Sequence, residues 1–206
     1  MRDAKGNIFS IGHSTLSYER FLQLLRVAGA TAVADVRTSP YSRRFPQFNH
    51  EELQRELRQD GIAYVFLGKE LGGRPSESKF YCDGVANYEE MSKTNDFKNG
   101  IHRVISGSEK YGVALMCSEG HPLDCHRCLL VSRELLRLSY DVQHILSDGS
   151  LVSQIKLEAE LLEQAGRDCD DLFAPLSERL SIAYHERARK IAFAQPEGDR
   201  SPIAAE

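Results

Sequence analysis

Residues 116–127, MCSEGHPLDCHR, place two cysteines, two histidines, a glutamate, an aspartate and an arginine within twelve positions. Thiol, imidazole and carboxylate this close together suit two kinds of chemistry: attack by a thiolate beside a base, or ligation of a metal. Cys125 reads as the reactive thiol. It falls in the first turn of an expected helix with Asp124 as N-cap. There the helix dipole, His126 and Arg127 favour the thiolate, and Asp124 opposes it. Cys117, at a strand end with Glu119 close by, is the second candidate. Cys128 opens an apolar run, CLLV, and reads as core; Cys82 and Cys169 stand alone and carry no expected role.

The spacing favours an anion over a metal. Zinc sites draw four ligands from two short knuckles, and only Cys125 and Cys128 have C-x2-C spacing, inside the expected helix. A site of Cys117, Cys125 and a histidine is the alternative. Arg37 and Arg127 converge on the same region, where they would repel a dication and hold a phosphate, sulfate or carboxylate at the helix start. No metal ligand is therefore assigned.

A second cluster, DVRTSPYSRRFPQF (35–48), interleaves Arg37, Arg43 and Arg44 with aromatics. Arginine forks recognise phosphate and aromatics stack on bases, although such aromatics equally anchor a loop to its body. Asp35 is placed to hold Arg37. His13 and Ser14 follow the first strand and could serve as a base or an orienting pair. LGGRP (71–75) has the flexibility of a ligand-approaching loop. There is no Walker A motif and no G-x-G-x-x-G, so neither a P-loop nor a dinucleotide fingerprint names a cofactor.

These residues must be positioned by the elements before them. Short apolar runs (NIFSIGHS, TAVADVR, IAYVFL, VALMC and YDVQHIL) alternate with helical patterns up to about residue 146. Phe21, Leu24, Leu25 and Ala28 form one helix face that Gly29 stops. Asn49 with Glu52 reads as a capping box closed by Gly61. A helical stretch over 87–112 is expected to break near Asn99-Gly100. Strand–helix–strand repetition implies right-handed βαβ units. The fold class is α/β, a three-layer sandwich with a mainly parallel sheet of about five strands and helices on both faces. In such sheets ligands bind beyond the carboxyl ends of the strands, which is where His13, Asp35, Arg37, Cys117 and Glu119 fall. Cys117 and Cys125 are expected in one pocket with His13 and Arg37.

Residues 1–150 read as this domain and 151–194 as a charged helical extension with no further strand. The polar tail 195–206 is expected to be disordered. The helices either pack back on the sheet or pair two copies of the chain. Length 206 and 41% hydrophobic content suit one core plus an appendage, and net charge −4 excludes a global basic field for nucleic acid. No apolar run reaches a membrane span and no leader is evident. Five cysteines, an odd and unevenly spaced set, indicate reduced thiols and a cytoplasmic location.

Together SIGHST, VADVRTSPYSRRFPQF, LGKELGGRP, VALMCSEGHPLDCHR and VQHIL resemble the domain of unknown function 488 family (DUF488) over residues 8 to about 148. The resemblance implies an α/β domain whose ligand site gathers His13, Ser14, Asp35, Arg37, Cys117, Glu119, Cys125, His126 and Arg127. Cys128 is not part of that pattern. The family brings an association with nucleotide or nucleic-acid modification but no settled activity. The leading expectation is a thiol-dependent enzyme. Cys125 or Cys117 supplies the thiolate, His13 or His126 moves a proton, and Arg37, Arg43, Arg44 and Arg127 hold a phosphate-bearing small molecule or nucleic acid. The alternatives are a non-catalytic nucleotide or nucleic-acid binding module, and a metal-dependent protein with Cys and His ligands.

Overall fold

The computed structural model describes residues 6–169 and 173–196. Five apolar runs form parallel strands: β1 (Ile8–Gly12), β2 (Ala32–Asp35), β3 (Ala63–Phe66), β6 (Val113–Cys117) and β7 (Val142–Ile145). A small antiparallel hairpin, β4 (Tyr81–Cys82) with β5 (Val85–Ala86), lies apart, and β8 (Leu151–Ser153) joins the main sheet antiparallel to β7. The six-stranded order is β3-β2-β6-β1-β7-β8.

Side chains alternate between two cores. Phe9, Ile11, Val33, Ala114 and Met116 face one side, covered by α1 (Tyr18–Ala28) and α2 (His50–Gln59). Ile8, Ala34, Leu115 and Cys117 face the other. That side is covered by α5 (Asn95–Ser108), α6 (Arg133–Arg137), α7 (Gln154–Gln164) and α8 (Leu176–Ile191). Two short helices, α3 (Gly68–Leu71) and α4 (Tyr88–Ser92), pack beside α5. In α1, Phe21, Leu24 and Leu25 are buried as the pattern requires, each worth roughly 1.5–3 kcal/mol of burial. Ser17 caps the first turn and Gly29 closes the helix at φ 80°.

This strand order places the site. The chain leaves β2 toward β3 through α2 on one face, and leaves β6 toward β7 through α6 on the opposite face. The loops after β2 and β6 therefore part company at neighbouring strand ends, opening a crevice of the kind where α/β sheets bind ligands.

Several local expectations are corrected. The sheet has six strands, because Asp148-Gly149 turns the chain back (Leu146 N–H donates to Ser150 O, 2.9 Å, with Gly149 at φ 97°), so Leu151–Ser153 pairs as an edge strand. The helical break falls at Lys93-Thr94, where Thr94 Oγ1 caps α5. Gly100 sits inside that helix because an added Cβ would lie 2.7 Å from Leu71. Asn49 makes no capping bond; its Oδ1 accepts instead from Ser42 N–H at 2.6 Å.

α7 and α8 pack on each other and, through Leu157, Leu161, Ala183 and Tyr184, on the sheet core. Beyond α8 the chain crosses back over the hairpin. Ala86 N–H donates to Phe193 O, Gln195 N–H donates to Gly84 O, and Ala194 bridges Val85. Most of the expected tail, 197–206, lies outside the described residues. Among the described residues, no helix is long and apolar enough to cross a membrane.

Candidate active site

Cys117 ends β6 between two neighbours. Its carbonyl accepts from His13 N–H at 2.9 Å, and the preceding Met116 carbonyl accepts from Val36 N–H at 3.0 Å. The loop that follows passes so close to β1 that a Cβ at Gly12 would lie 1.8 Å from Glu119 O. Pro122–Asp124 makes one 3-10 turn, and Cys125 is then extended (φ −142°, ψ 142°). The helix proper starts after it, so Cys125, not Asp124, is the N-cap. Cys125 O accepts from Cys128 and Leu129 N–H, and its Sγ lies 3.5 Å from Arg127 N–H. Arg127–Ser132 winds as a π-helix before tightening into α6. Asp124 lines the same cleft and is ion-paired with Arg187 of α8.

The result brings four side chains together. Cys117 Sγ and Cys125 Sγ lie 2.9 and 3.1 Å from the same Glu119 oxygen, Oε2. His126 Nδ1 lies 3.7 Å from the first sulfur and 3.8 Å from the second. All four ligand atoms fall within 4.8 Å of one another. His126 Nε2 is 2.9 Å from Val36 O, a carbonyl that can only accept. Nε2 therefore carries a proton, and Nδ1 is the nitrogen that faces the thiols. Cys117, Cys125 and His126 are buried; Glu119 is exposed and reaches in from the rim.

Electrostatics divides the two thiols. Burial, with Cys125 next to it, holds the Cys117 thiol well above its ordinary range. Burial acts on Cys125 in the same sense, but the hydrogen bond from Cys117, Arg127 and His126 outweigh it and favour the thiolate. Burial and the Cys125 charge raise the Glu119 carboxyl.

The cluster floors a largely polar cleft of about 460 Å³ whose walls include Arg37, Ser42, Arg74, Tyr88 and Phe193. Arg37 is held by Asp35 through Nε–Oδ1 (2.9 Å) and Nη2–Oδ2 (2.6 Å), and by Phe48 O (2.8 Å). Tyr64 completes that carboxylate's shell at 2.8 Å. Nη1 is the guanidinium nitrogen that neither Asp35 nor Phe48 holds; it lies 3.5 Å from His13 Nε2. Arg74 also lines the cleft, its guanidinium 4.8 Å over the Phe193 ring.

Not every expected site residue reaches this cleft. His13 lies behind Arg37, stacked on Phe48 at 4.3 Å, with Nε2 3.5 Å from Arg37 Nη1. Burial and Arg37 depress its pKa to about 4, so it is neutral at pH 7. Ser14 holds a positive φ of 45° and donates its N–H to Ser118 O. Arg127 is fully buried, with Nη1 on Glu119 O (2.7 Å) and Nη2 on Gly120 O (2.9 Å). It braces the loop from behind. Arg43 and Arg44 are exposed outside the cleft, Arg44 over Phe45. Cys128 is core, its thiol directed at Gln154.

Sequence reasoning missed Arg74, Tyr88 and Phe193. It also missed the role of Gly73, where a Cβ would sit 2.7–3.0 Å from the His126 ring. The Gly-Gly pair in LGGRP was the available signal. The four clustered residues were all among the sequence candidates; the fold adds their geometry, because Cys117 and Cys125 meet where a strand end and an N-cap are folded against each other.

Fold and site define an α/β domain with a thiol-floored cleft at the point where its strand order reverses. The profile of the family described as Domain of unknown function DUF488 matches residues 17–133, more than half of the sequence, and the chain belongs to that family. The match takes in Arg37, Cys117, Glu119, Cys125 and His126 and leaves out His13, Ser14 and the C-terminal helices. Comparison with curated proteins and with solved structures finds no match.

Proposed function

We propose that the cleft is the active site of a thiolate-dependent enzyme acting on a phosphate-bearing substrate, a nucleotide or a nucleic-acid end. The observation that carries this reading is the convergence of Cys117, Cys125, Glu119 and His126 on one point at the floor of a polar cleft. Packing alone gives no reason to turn two thiols, a carboxylate and an imidazole nitrogen toward each other. Arg37 and Arg74, both lining the cleft, supply the positive charge for a phosphate. Tyr41 and Phe193 at the walls offer ring faces for a base. With no cation bound, Cys125 is the working thiolate and Cys117 its proton-bearing partner.

Two measurements test this. Pyrophosphate and a short 5′-phosphorylated oligonucleotide, titrated calorimetrically into the protein, should bind saturably. Arg74→Ala should weaken binding about tenfold or more at low salt, where fixed charges are least screened. p-Nitrophenyl phosphate and its bis-ester should be turned over by the wild type and by Cys82→Ser, but not by Cys125→Ser. Absence of anion binding removes the phosphate part of the reading, and turnover that survives Cys125→Ser removes the thiolate part.

A further inference from the structure

We infer that Cys117, Cys125, His126 and Glu119 form a binding site for a thiophilic divalent cation of the zinc class, with the three buried residues as fixed ligands and Glu119 as the exchangeable one. For its part in catalysis this inference rests on the cleft being the active site, and in the metal-bound form it makes the Cys125 thiolate a ligand; for its ligand set it rests on geometry alone.

The geometry has three parts. The first is spacing between ligand atoms. A tetrahedral ion with metal–sulfur bonds of about 2.3 Å and metal–nitrogen bonds of about 2.0 Å separates sulfur from nitrogen by about 3.6 Å. The two sulfurs here lie 3.7 and 3.8 Å from His126 Nδ1. The sulfur–carboxylate separations, 2.9 and 3.1 Å, are shorter, as befits protons shared between sulfur and carboxylate. A cation displaces those protons, and Glu119, which is exposed, is the member free to move outward. Three fixed ligands and one labile position facing a cleft is the pattern of a catalytic rather than a structural zinc site.

The second part is the support behind the ligands. His126 presents Nδ1 because Val36 O takes the proton on Nε2, the outer contact that orients metal-bound imidazoles. Gly73 closes on the ring so tightly that no side chain fits between them. Arg127 N–H approaches the Cys125 sulfur, and the Arg127 guanidinium clamps the carbonyls of Glu119 and Gly120. The ligands are thus held before any ion arrives.

The third part is charge. The sequence reading weighed Arg37 and Arg127 against a dication. In the fold Asp35 pairs Arg37, and Arg127 is turned to backbone carbonyls. Two thiolates and a carboxylate carry three negative charges; a dication and Arg127 balance them. Without the cation, the anionic forms of three crowded acidic groups repel one another. Soft thiolates with one imidazole select zinc, cobalt or ferrous iron over magnesium or calcium. An ion there opens onto the cleft that Arg37 and Arg74 line, where it can polarise a phosphoryl oxygen.

The test uses the full chain, purified anaerobically, stripped with chelator and checked for native far-UV circular dichroism. Cobalt(II) titration should develop a thiolate-to-cobalt charge-transfer band in the near ultraviolet and intense visible d–d bands, saturating at one equivalent. Zinc should bleach both. Cys117→Ser and Cys125→Ser should each abolish or strongly weaken the charge-transfer band. His126→Ala should lower cobalt affinity about tenfold or more. Glu119→Gln should keep the band and shift the d–d envelope, and Cys128→Ser and Cys82→Ser should match the wild type. A folded wild-type chain that binds less than about a tenth of an equivalent, or a folded Cys125→Ser chain that keeps the wild-type spectrum, overturns the site. Cobalt binding without phosphoester turnover leaves the metal site standing and removes the active-site reading. Turnover by metal-free protein that zinc does not change does the reverse.

Discussion

A residue's type was legible in the sequence; its partner was not. Cys125 was singled out for its helix-start position, and the fold places it one step earlier, as the cap itself, because the 3-10 turn at Pro122–Asp124 ends in an extended residue. Arg127 shows the limit more sharply. Beside Cys125 and His126 it reads as an anion ligand, yet it is fully buried with two backbone carbonyls as partners. Only the path of the 118–121 loop decides between those roles, and that path is a tertiary fact. Arg127→Met should therefore act through stability. Losing two hydrogen bonds from a buried charged group costs about 3 kcal/mol or more. Urea denaturation measures this, and an Arg127→Met chain as stable as the wild type would mean the clamp is not needed. Arg74→Ala, on the exposed wall, should leave stability within about 0.5 kcal/mol.

At the scale of elements, the parallel strands were legible because buried parallel strands are continuous apolar runs. β8 was not, since three residues after an Asp-Gly turn carry too little periodicity to compete with the helical pattern that follows. The capping box at Asn49 failed because a competing donor, Ser42 N–H, claims the side chain. The loop that carries Gly72 and Gly73 has the clearest consequence for the site. Gly73→Ala puts a methyl 2.7 Å from His126 Cγ and 2.9 Å from Nδ1. The imidazole must turn, so cobalt affinity should fall about tenfold while the fold persists. Gly107→Ala, inside α5 with its nearest neighbour atom at 3.6 Å, is the control. It should be neutral, or stabilising by about 0.5–1 kcal/mol. Equal cobalt affinity in Gly73→Ala and the wild type would show that the contact does not hold the ring.

Over the whole molecule, the fold class followed from alternation, while the packing of the C-terminal helices did not, because charge-rich helices show little of which face they bury. A buried polar chain ties them to the sheet. Ser10 Oγ meets His144 Nδ1 (2.6 Å), His144 Nε2 meets Gln154 Oε1 (2.7 Å), Gln154 donates to Tyr184 OH (2.7 Å), and Tyr184 donates to Glu158 (2.9 Å). Burial lowers the His144 pKa from 6.5 to about 3, so the native state keeps it neutral while an unfolded chain protonates it below pH 6.5. The contribution of His144 is complete above pH 6.5 and declines as pH falls from 6.5 toward 3. Between pH 7 and 5 this amounts to about 2 kcal/mol. His144→Gln should therefore lose about that much less stability than the wild type over the same interval in urea melts. Equal losses would mean that the histidine is not buried neutral.

The segment beyond α8 carries one more implication. Ile191 and Phe193 wall the cleft, yet they lie some sixty residues past the end of the family match at residue 133, whereas all four clustered side chains lie inside it. The cleft is thus walled in part by chain that the family profile does not cover. Relatives that share residues 17–133 but differ after it would keep the same four clustered side chains behind a differently shaped mouth.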